Sequence, residues 1–546
     1  MAANQNVTQL TQQSTTDPTS LFYAVTGGTN DTGLPLSVLS PYLTKTYTGF
    51  TQSGTGVVAR TVQGKLRDVI NVKDFGAVGD GTTDDTAALT AAINFVYAAT
   101  YAPKLNLGSG YYRITSPLPD LKGPITIEGD NPRTCQLLCS GTLPILNIRG
   151  TGTRATDITL RNLTLNGNSM TAGFLVNQDW TQNVIYDKVY WNNPFNAVSI
   201  RQAGNTQFRS CLIDYVRGTQ GVYAYATNTA RNGQNDQIDV IIFESMVIQS
   251  NYVSGPAPTN NPDMLVLDGR VQTVQFNGLR LLNAYRGLVT QNTSGVAANF
   301  VPRFLTGTAL EVENMYAQCV NMSSCLDFWI NNIFIAGSQT QDGMMLSSAV
   351  GNFRIDKGTI NSNWLGGLNT NSASDIDLGA VDIYNNSLVG VSVKSGIYVS
   401  GSGIVRVRGG LCGKATWLPA YTEPQKYGIE LDSGFTGIII SQGVDLRGNA
   451  TGSLYPGVSP ALGSSVSGCP GFNPGGTGLV TVGASPFTYK AGLATENVNL
   501  YGGTGVVSTI NGVAVANTVP AAFTLAPLQS VTITYSTVPT MAINKV

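Results

Sequence analysis

The chain has 546 residues, of which 62 are glycine and only 12% carry charge, with 31 Lys and Arg against 32 Asp and Glu and no histidine. The length exceeds one ordinary domain and predicts three or four structural parts. A net charge of −1 offers no basic field for phosphates and excludes a nucleic-acid partner, while the missing histidine excludes Ser-His-Asp and Cys-His catalysis and removes the commonest zinc ligand.

A surface so poor in charge is solvated by Asn, Thr, Ser and Gln, and it suits neutral or weakly charged sugars. Met1 is followed by polar residues, so no secretory leader is expected. No run of about 18 apolar residues occurs, so no membrane insertion is expected. The cysteines, at 135, 139, 211, 319, 325, 412 and 469, are odd in number and irregular in spacing. They predict reduced, buried thiols in a protein made in a cytoplasm. No metal site and no cofactor is expected.

Taken in chain order, residues 1–60 are polar and Thr-rich. Ser20 to Leu43 carries short apolar runs around a Gly-Gly turn and a Pro, which predicts a small extended module. Residues 61–155 read as a neck and a cap. Within them, Ile70 to Val96 reads INVKDFGAVGDGTTDDTAALTAAINFV. The AVGDG stretch is a tight turn, Thr83 is placed to cap a helix with Asp84 and Asp85 in its first turn, and Ala87, Ala88, Leu89, Ala92 and Ile93 follow at helical spacing. This is the one helix the sequence predicts.

From about residue 156 to 454 a six-residue string recurs, with a polar first residue, a small fifth residue and usually an apolar sixth. It reads SMTAGF, NPFNAV, RGTQGV, NYVSGP, NAYRGL, NMSSCL, QTQDGM, NWLGGL, NSLVGV and NATGSL, starting at residues 169, 193, 217, 251, 283, 321, 339, 363, 386 and 449. The long last gap has room for one more rung, around GIVRVRGGLCG, and a loop at Trp417 to Lys426. Ahead of the strings, segments such as ITLRNLTLNGN and FRIDKGTINSN alternate as two short strands meeting at a bend. Three strands and three turns in about 20 to 30 residues predict one coil of a parallel β-helix, stable only when stacked on its neighbours. Residues 455–476, rich in Pro, Gly and Ser, read as a linker. Residues 477–546 read as a small β-sandwich.

The Ile70–Ile93 string resembles the opening of the pectate-lyase-like β-helices of phage tailspikes and depolymerases. SLFYAVTGGTNDTGLPLSVL resembles podophage-type virion-attachment modules, and PFTYKAG…FTLAPLQSVTITYS is similar to small C-terminal domains of phage tail proteins. The resemblance implies an all-β chain with a right-handed parallel β-helix, a homotrimer at a phage tail, joined to tail or portal-adaptor proteins through residues 1–60. It further implies attachment to bacterial surface polysaccharide outside the host and, often, cleavage of that polysaccharide. A non-catalytic adhesive fibre and a polysaccharide lyase remain open beside the hydrolase.

Glycoside hydrolysis uses two carboxyl groups, roughly 5–5.5 Å apart for retention and 6.5–9.5 Å for inversion. Residues i and i+2 of a strand face the same way, about 6.5–7 Å apart. Two such pairs occur: Glu311 with Glu313, flanking inward Leu310 and Val312, and Asp375 with Asp377, flanking inward Ile376 and Leu378. Within a pair, like charges raise one pKa and suit that group to act as general acid. Asp327 beside Trp329, with Tyr316 nearby in sequence, is a further candidate, because aromatic rings stack on the apolar face of a pyranose. Asp342 and Trp364 sit in turns and are candidates to line a groove. Asp187 and Asp356 read as turn formers. Lys357, Lys394, Lys414 and Arg354, the bases a lyase would need, form no cluster in the sequence.

Overall fold

A computed structural model describes residues 49–99, 104–227, 236–293, 300–418, 422–455, 460–472 and 476–545. Most of the expected attachment module, residues 1–48, lies outside the described residues. The chain divides into two units, 1–68 and 69–546.

In the first unit, Gly49–Phe50 pairs antiparallel with Arg60–Thr61. A five-residue helix, Val62–Leu66, follows, and Thr61 accepts a hydrogen bond from the Gly64 amide as its cap. The sequence did not predict this helix; it is one turn long, holds a Gly, and buries no side chain.

The second unit is a stack of parallel coils. Each coil gives one strand to each of three ladders, and inward residues sit directly over their counterparts. In the first ladder Val274, Leu305, Phe328, Phe353, Ile376 and Val405 succeed one another. In the second the order is Leu281, Val312, Ile335, Ile360 and Ile383. In the third it is Val198, Val222, Leu265, Leu288, Val320, Met344, Leu368, Ile397, Ile429 and Leu454. All are buried. Each contributes roughly 1.5–3 kcal/mol of apolar burial, realised only once the next coil covers it. Aromatics stack in the same way, Tyr186 on Phe208 at 4.9 Å and Phe208 on Phe243 at 5.2 Å between ring centroids.

The parallel pairing starts earlier and ends later than the repeat suggested. Val69–Asn71 already pairs with Lys104–Gly108, and Ser465–Ser467 still pairs with Ile438–Gln442. Not all the strings mark a rung. NPFNAV, RGTQGV, NAYRGL, QTQDGM, NWLGGL and NATGSL end on third-ladder positions, whereas SMTAGF, NYVSGP, NMSSCL and NSLVGV end elsewhere, the true rungs falling at Val176, Leu265, Val320 and Ile397. Turns that end in Gly and Val imitate the motif wherever they lie.

The string's polar first residue has a structural cause. Asn363, Asn386 and Gln425, all buried, form an amide ladder that ends on half-buried Asn449: Asn363 Nδ2 donates to Asn386 Oδ1 at 2.9 Å, Asn386 Nδ2 to Gln425 Oε1 at 2.8 Å, and Gln425 Nε2 to Asn449 Oδ1 at 3.1 Å. Gln425 supplies the rung missing from the long gap. The small fifth residue follows from the same ladder: a Cβ on Gly343 of QTQDGM would meet Asn363 Nδ2 at 2.5 Å and one on Gly367 of NWLGGL would meet Asn386 Nδ2 at 3.0 Å, while Gly396, which holds the equivalent place before Ile397, would press on Cys412 Sγ at 2.8 Å and Gln425 Nε2 at 2.9 Å.

The helix Thr86–Ala98 buries Ala88, Leu89, Ala92, Ile93 and Val96 in the core of the coils. It starts later than expected: Asp84 ends the strand Asp80–Asp84 and Asp85 is the cap position. Asp85 instead turns back to accept from the amides of Val78 at 2.7 Å and Gly79 at 3.1 Å, holding the AVGDG turn. Residues 476–545 form two four-stranded antiparallel sheets around Val498, Leu500, Leu525, Val531, Ile533 and Met541. All seven cysteines are buried and unpaired. Among the described residues no helix is long and apolar enough to cross a membrane, and no group of three His, Cys, Asp or Glu side chains could hold a metal.

Candidate functional site

The strand Arg303–Met315 runs through the first and second ladders. Because Leu310 and Val312 point into the core, Glu311 and Glu313 stand on the outer face of the second ladder. The ladder register extends them into two outward columns. One reads Glu311, Phe334, Thr359, Asp382 and the other Glu313, Ala336, Asn361, Tyr384. Ala336 and Gly337 are small and lower the floor between Glu313 and Asn361. The result is an open groove of 490 Å³, lined by Asn283, Glu313, Asn314, Phe334, Asn361 and Ser362 with Leu282 and the two small residues.

The two glutamates differ in environment. One coil back, Arg280 grips Glu311 with Nε at 2.8 Å and Nη2 at 2.6 Å, and lies 3.8 Å from Glu313. That fork holds the Glu311 carboxyl below its ordinary value. Glu313 is pushed up, first by burial and then by its hydrogen bond to Glu311. The two carboxyls are therefore pushed apart, Glu311 toward the ionised form and Glu313 toward the protonated one, and Glu313 is the member that lines the groove.

The other candidates lie elsewhere. Asp375 and Asp377 are on the outer face of the first ladder, not the second. They do not act on each other as an acid pair, because Asp375 takes Arg406 at 2.8 Å and Asp377 takes both Nε and Nη2 of Arg408, at 2.9 and 2.5 Å. Asp327 is a bend residue with φ of 60°, a left-handed conformation that Asp and Asn tolerate, and it accepts from Asn352 Nδ2 at 2.6 Å. Trp329 is 51% exposed on the first ladder. Arg354 lies 4.9 Å over its ring, and its Nε1 donates to Asp356 at 2.9 Å. Tyr316, by contrast, follows the second ladder and stacks on Tyr285 at 5.8 Å. The structure therefore separates Tyr316 from Trp329.

Asp342 is turned inward rather than toward a groove, accepting from the Gly366 amide at 2.7 Å and from Asn369 Nδ2 at 3.2 Å, with its pKa raised by burial. Trp364 is exposed in the next turn, where its carbonyl accepts from the Val389 amide. Asp356 is no mere turn former: it bridges Trp329 and Arg354, and the left-handed residue of that bend is Gly358. Likewise the left-handed residue beside Asp187 is Lys188, while Asp187 pairs with Arg161 at 2.9 Å.

Sequence reasoning missed Arg280, which grips Glu311 from the preceding coil, and Phe334, Asn361 and Ser362, which line the groove with Glu313 from the following coils. Tyr384 and Asp382 were missed for the same reason. The available signal was the outward member of each alternating strand, read across coils instead of along one.

Comparison with solved structures places this architecture. Tailspike protein 3 of bacteriophage CBA120 superposes with a TM-score of 0.55 at 15% identity, over 83% of this chain and 72% of that one. This chain has the parallel β-helix fold of a phage tailspike. The family described as rhamnogalacturonase A/epimerase, pectate lyase-like, matches residues 69–255 of the tailspike-like chain, which covers the cap, the helix and the first coils. Curated relatives include the mannuronan C5-epimerases AlgE5 and AlgE3 of Azotobacter vinelandii, 47% and 45% identical over 60 residues. That match covers 11% of this tailspike-like chain and only 6% and 3% of the epimerases' own lengths.

Proposed function

We propose that the protein is a phage tailspike that attaches the virion to bacterial surface polysaccharide, capsule or O-antigen, and cleaves it as an endoglycosidase at Glu313 and Glu311. The reading is carried by one observation: two carboxyls on one strand held in unlike environments, Glu313 raised by burial on the wall of an open, amide-rich groove and Glu311 lowered by the Arg280 fork. Glu313 donates its proton to the glycosidic oxygen, and Glu311 is the base for water. Standing parallel, side chains two apart on a strand are about 6.5–7 Å apart, the lower end of the inverting range of roughly 6.5–9.5 Å. Their present contact opens as the substrate enters. The tailspike fold and the epimerase segment support a polysaccharide partner. The homotrimer and the attachment through residues 1–60 belong to the same proposal, with the virion tail as the location.

One observation favours a second reading. Arg280 satisfies Glu311 as fully as Arg408 satisfies Asp377, and a glutamate fixed in that way suits an adhesive groove without turnover. A lyase is disfavoured, because no Lys, Arg or Tyr lines the groove to abstract a proton or neutralise a uronate.

The test is to incubate the purified protein with host capsule or O-antigen and follow polymer length by size exclusion. Released oligosaccharides without ultraviolet-absorbing ends, lost in Glu313→Gln, support the hydrolase. Binding with unchanged polymer length selects the adhesin, and an unsaturated product selects the lyase. Light scattering tests the trimer, and deletion of residues 1–60 tests virion attachment.

A further inference from the structure

The column that carries Glu313 continues beyond the groove. Ala336, Asn361 and Tyr384 follow it coil by coil, so Tyr384 lies three coils away, about 14 Å at a strand spacing of ~4.7–4.9 Å. Asn361 connects the two ends: it lines the groove, and its Nδ2 donates to the Tyr384 hydroxyl at 3.3 Å. Against Tyr384 stands Trp417, edge to face at 5.7 Å and 84°, and 56% exposed. A large indole held upright on a tyrosine and left open to solvent is a preformed platform for an apolar ring face.

The charges on this face are equally informative. Glu313 is the only ionisable residue lining the groove, and no cationic side chain lines it. Arg280 is already taken by Glu311, and Asp382 adds a further carboxyl beside Tyr384 in the neighbouring column. A polyanionic chain laid along these columns would meet the Asp382 carboxyl and the Glu311 carboxyl, and the cation beside Glu311, Arg280, is already engaged.

Resting on the polysaccharide reading above, we infer that Tyr384 and Trp417 form a distal subsite that stacks an uncharged pyranose of the same glycan chain, a few sugar residues from the bond held at Glu313. The long axis of the bound chain then runs parallel to the coil stack, along the second ladder. On the same reading, uncharged chains are preferred over uronate-rich polymers.

The full-length protein and its Trp417→Ala and Trp417→Phe variants are applied to an array of bacterial surface oligosaccharides. The array holds uncharged and uronate-containing chains, each as short fragments and as longer ones. The wild type should retain uncharged chains. Trp417→Ala should weaken the longer ones roughly two- to tenfold, the scale of one aromatic stacking contact, and leave the shortest fragments unchanged, while Trp417→Phe restores most of the loss. Equal binding of long chains by wild type and Trp417→Ala, with depolymerisation intact, overturns the subsite and leaves the tailspike reading standing. Preference for uronate chains overturns the substrate class. A wild type that retains nothing on the array overturns both the subsite and the polysaccharide reading beneath it. Matching circular dichroism and melting temperatures verify that the variants are folded.

Discussion

Replacing Asn386 with Ala removes the centre of the buried amide ladder. Asn386 Oδ1 accepts from the Asn363 amide at 3.2 Å and from Asn363 Nδ2 at 2.9 Å, and its Nδ2 donates to Gln425 Oε1 at 2.8 Å and to the Ile360 carbonyl at 3.1 Å. Asn363, Asn386 and Gln425 are all fully buried. Truncation strands the Asn363 donors and the Gln425 acceptor, and each buried polar group left unpaired costs about 1–3 kcal/mol. Allowing for partial rescue by water in the space left behind, the expected loss is about 3–5 kcal/mol. The assay is denaturant unfolding followed by far-ultraviolet circular dichroism, with unfolding rates compared directly if the transition is irreversible. The matched control is Asn205→Ala, which breaks an outward amide contact to Asn183 of 3.4 Å. Its expected loss is within about 0.5 kcal/mol. If Asn386→Ala cost no more than Asn205→Ala, the inner ladder would not be what holds these coils in register.

The acid pair sets a pH profile. Activity should fall as pH drops through the lowered pKa of Glu311, which protonates the base, and again as pH rises through the raised pKa of Glu313, which ionises the acid. Glu313→Gln should remove the alkaline limb and reduce turnover roughly 10²–10⁴-fold. Gly396→Ala should cost about 1–3 kcal/mol by pressing a methyl onto Cys412 and Gln425, read as a lowered melting temperature. Asp377→Asn should change stability by less than about 1 kcal/mol despite its arginine fork, because Arg408 is half exposed. The thiols should resist alkylation at pH 8 until the protein unfolds, since burial raises every shifted cysteine, Cys319 to about 12.

The alternation of Val, Ile and Leu made the coils legible, because one residue in two must face the core and the same demand recurs at each rung. Glu311 and Glu313 were placed outward correctly by that rule alone. The rule says nothing about which ladder a residue belongs to, so Asp375 and Asp377 looked equivalent to them until Arg406 and Arg408 were found opposite. Partners one coil away lie far off in sequence, as with Arg280 and Glu311, 31 residues apart. Asp342 failed for a different reason: a turn residue can face in or out, and here two inner hydrogen-bond donors decided it. The false strings, such as NSLVGV, arose where a turn had lengthened and Gly396, not Gly390, precedes the inward Ile397.

The third ladder joins Val222 to Leu265 across 43 residues and Leu265 to Leu288 across 23, with no break in pairing. The described part of the surplus, residues 251–261, is largely exposed and outside the ladder. A lineage can thus lengthen or exchange its peripheral segments one at a time while the stacked interior stays untouched. Adaptation to a new ligand then needs neither a new scaffold nor compensating changes inside the old one.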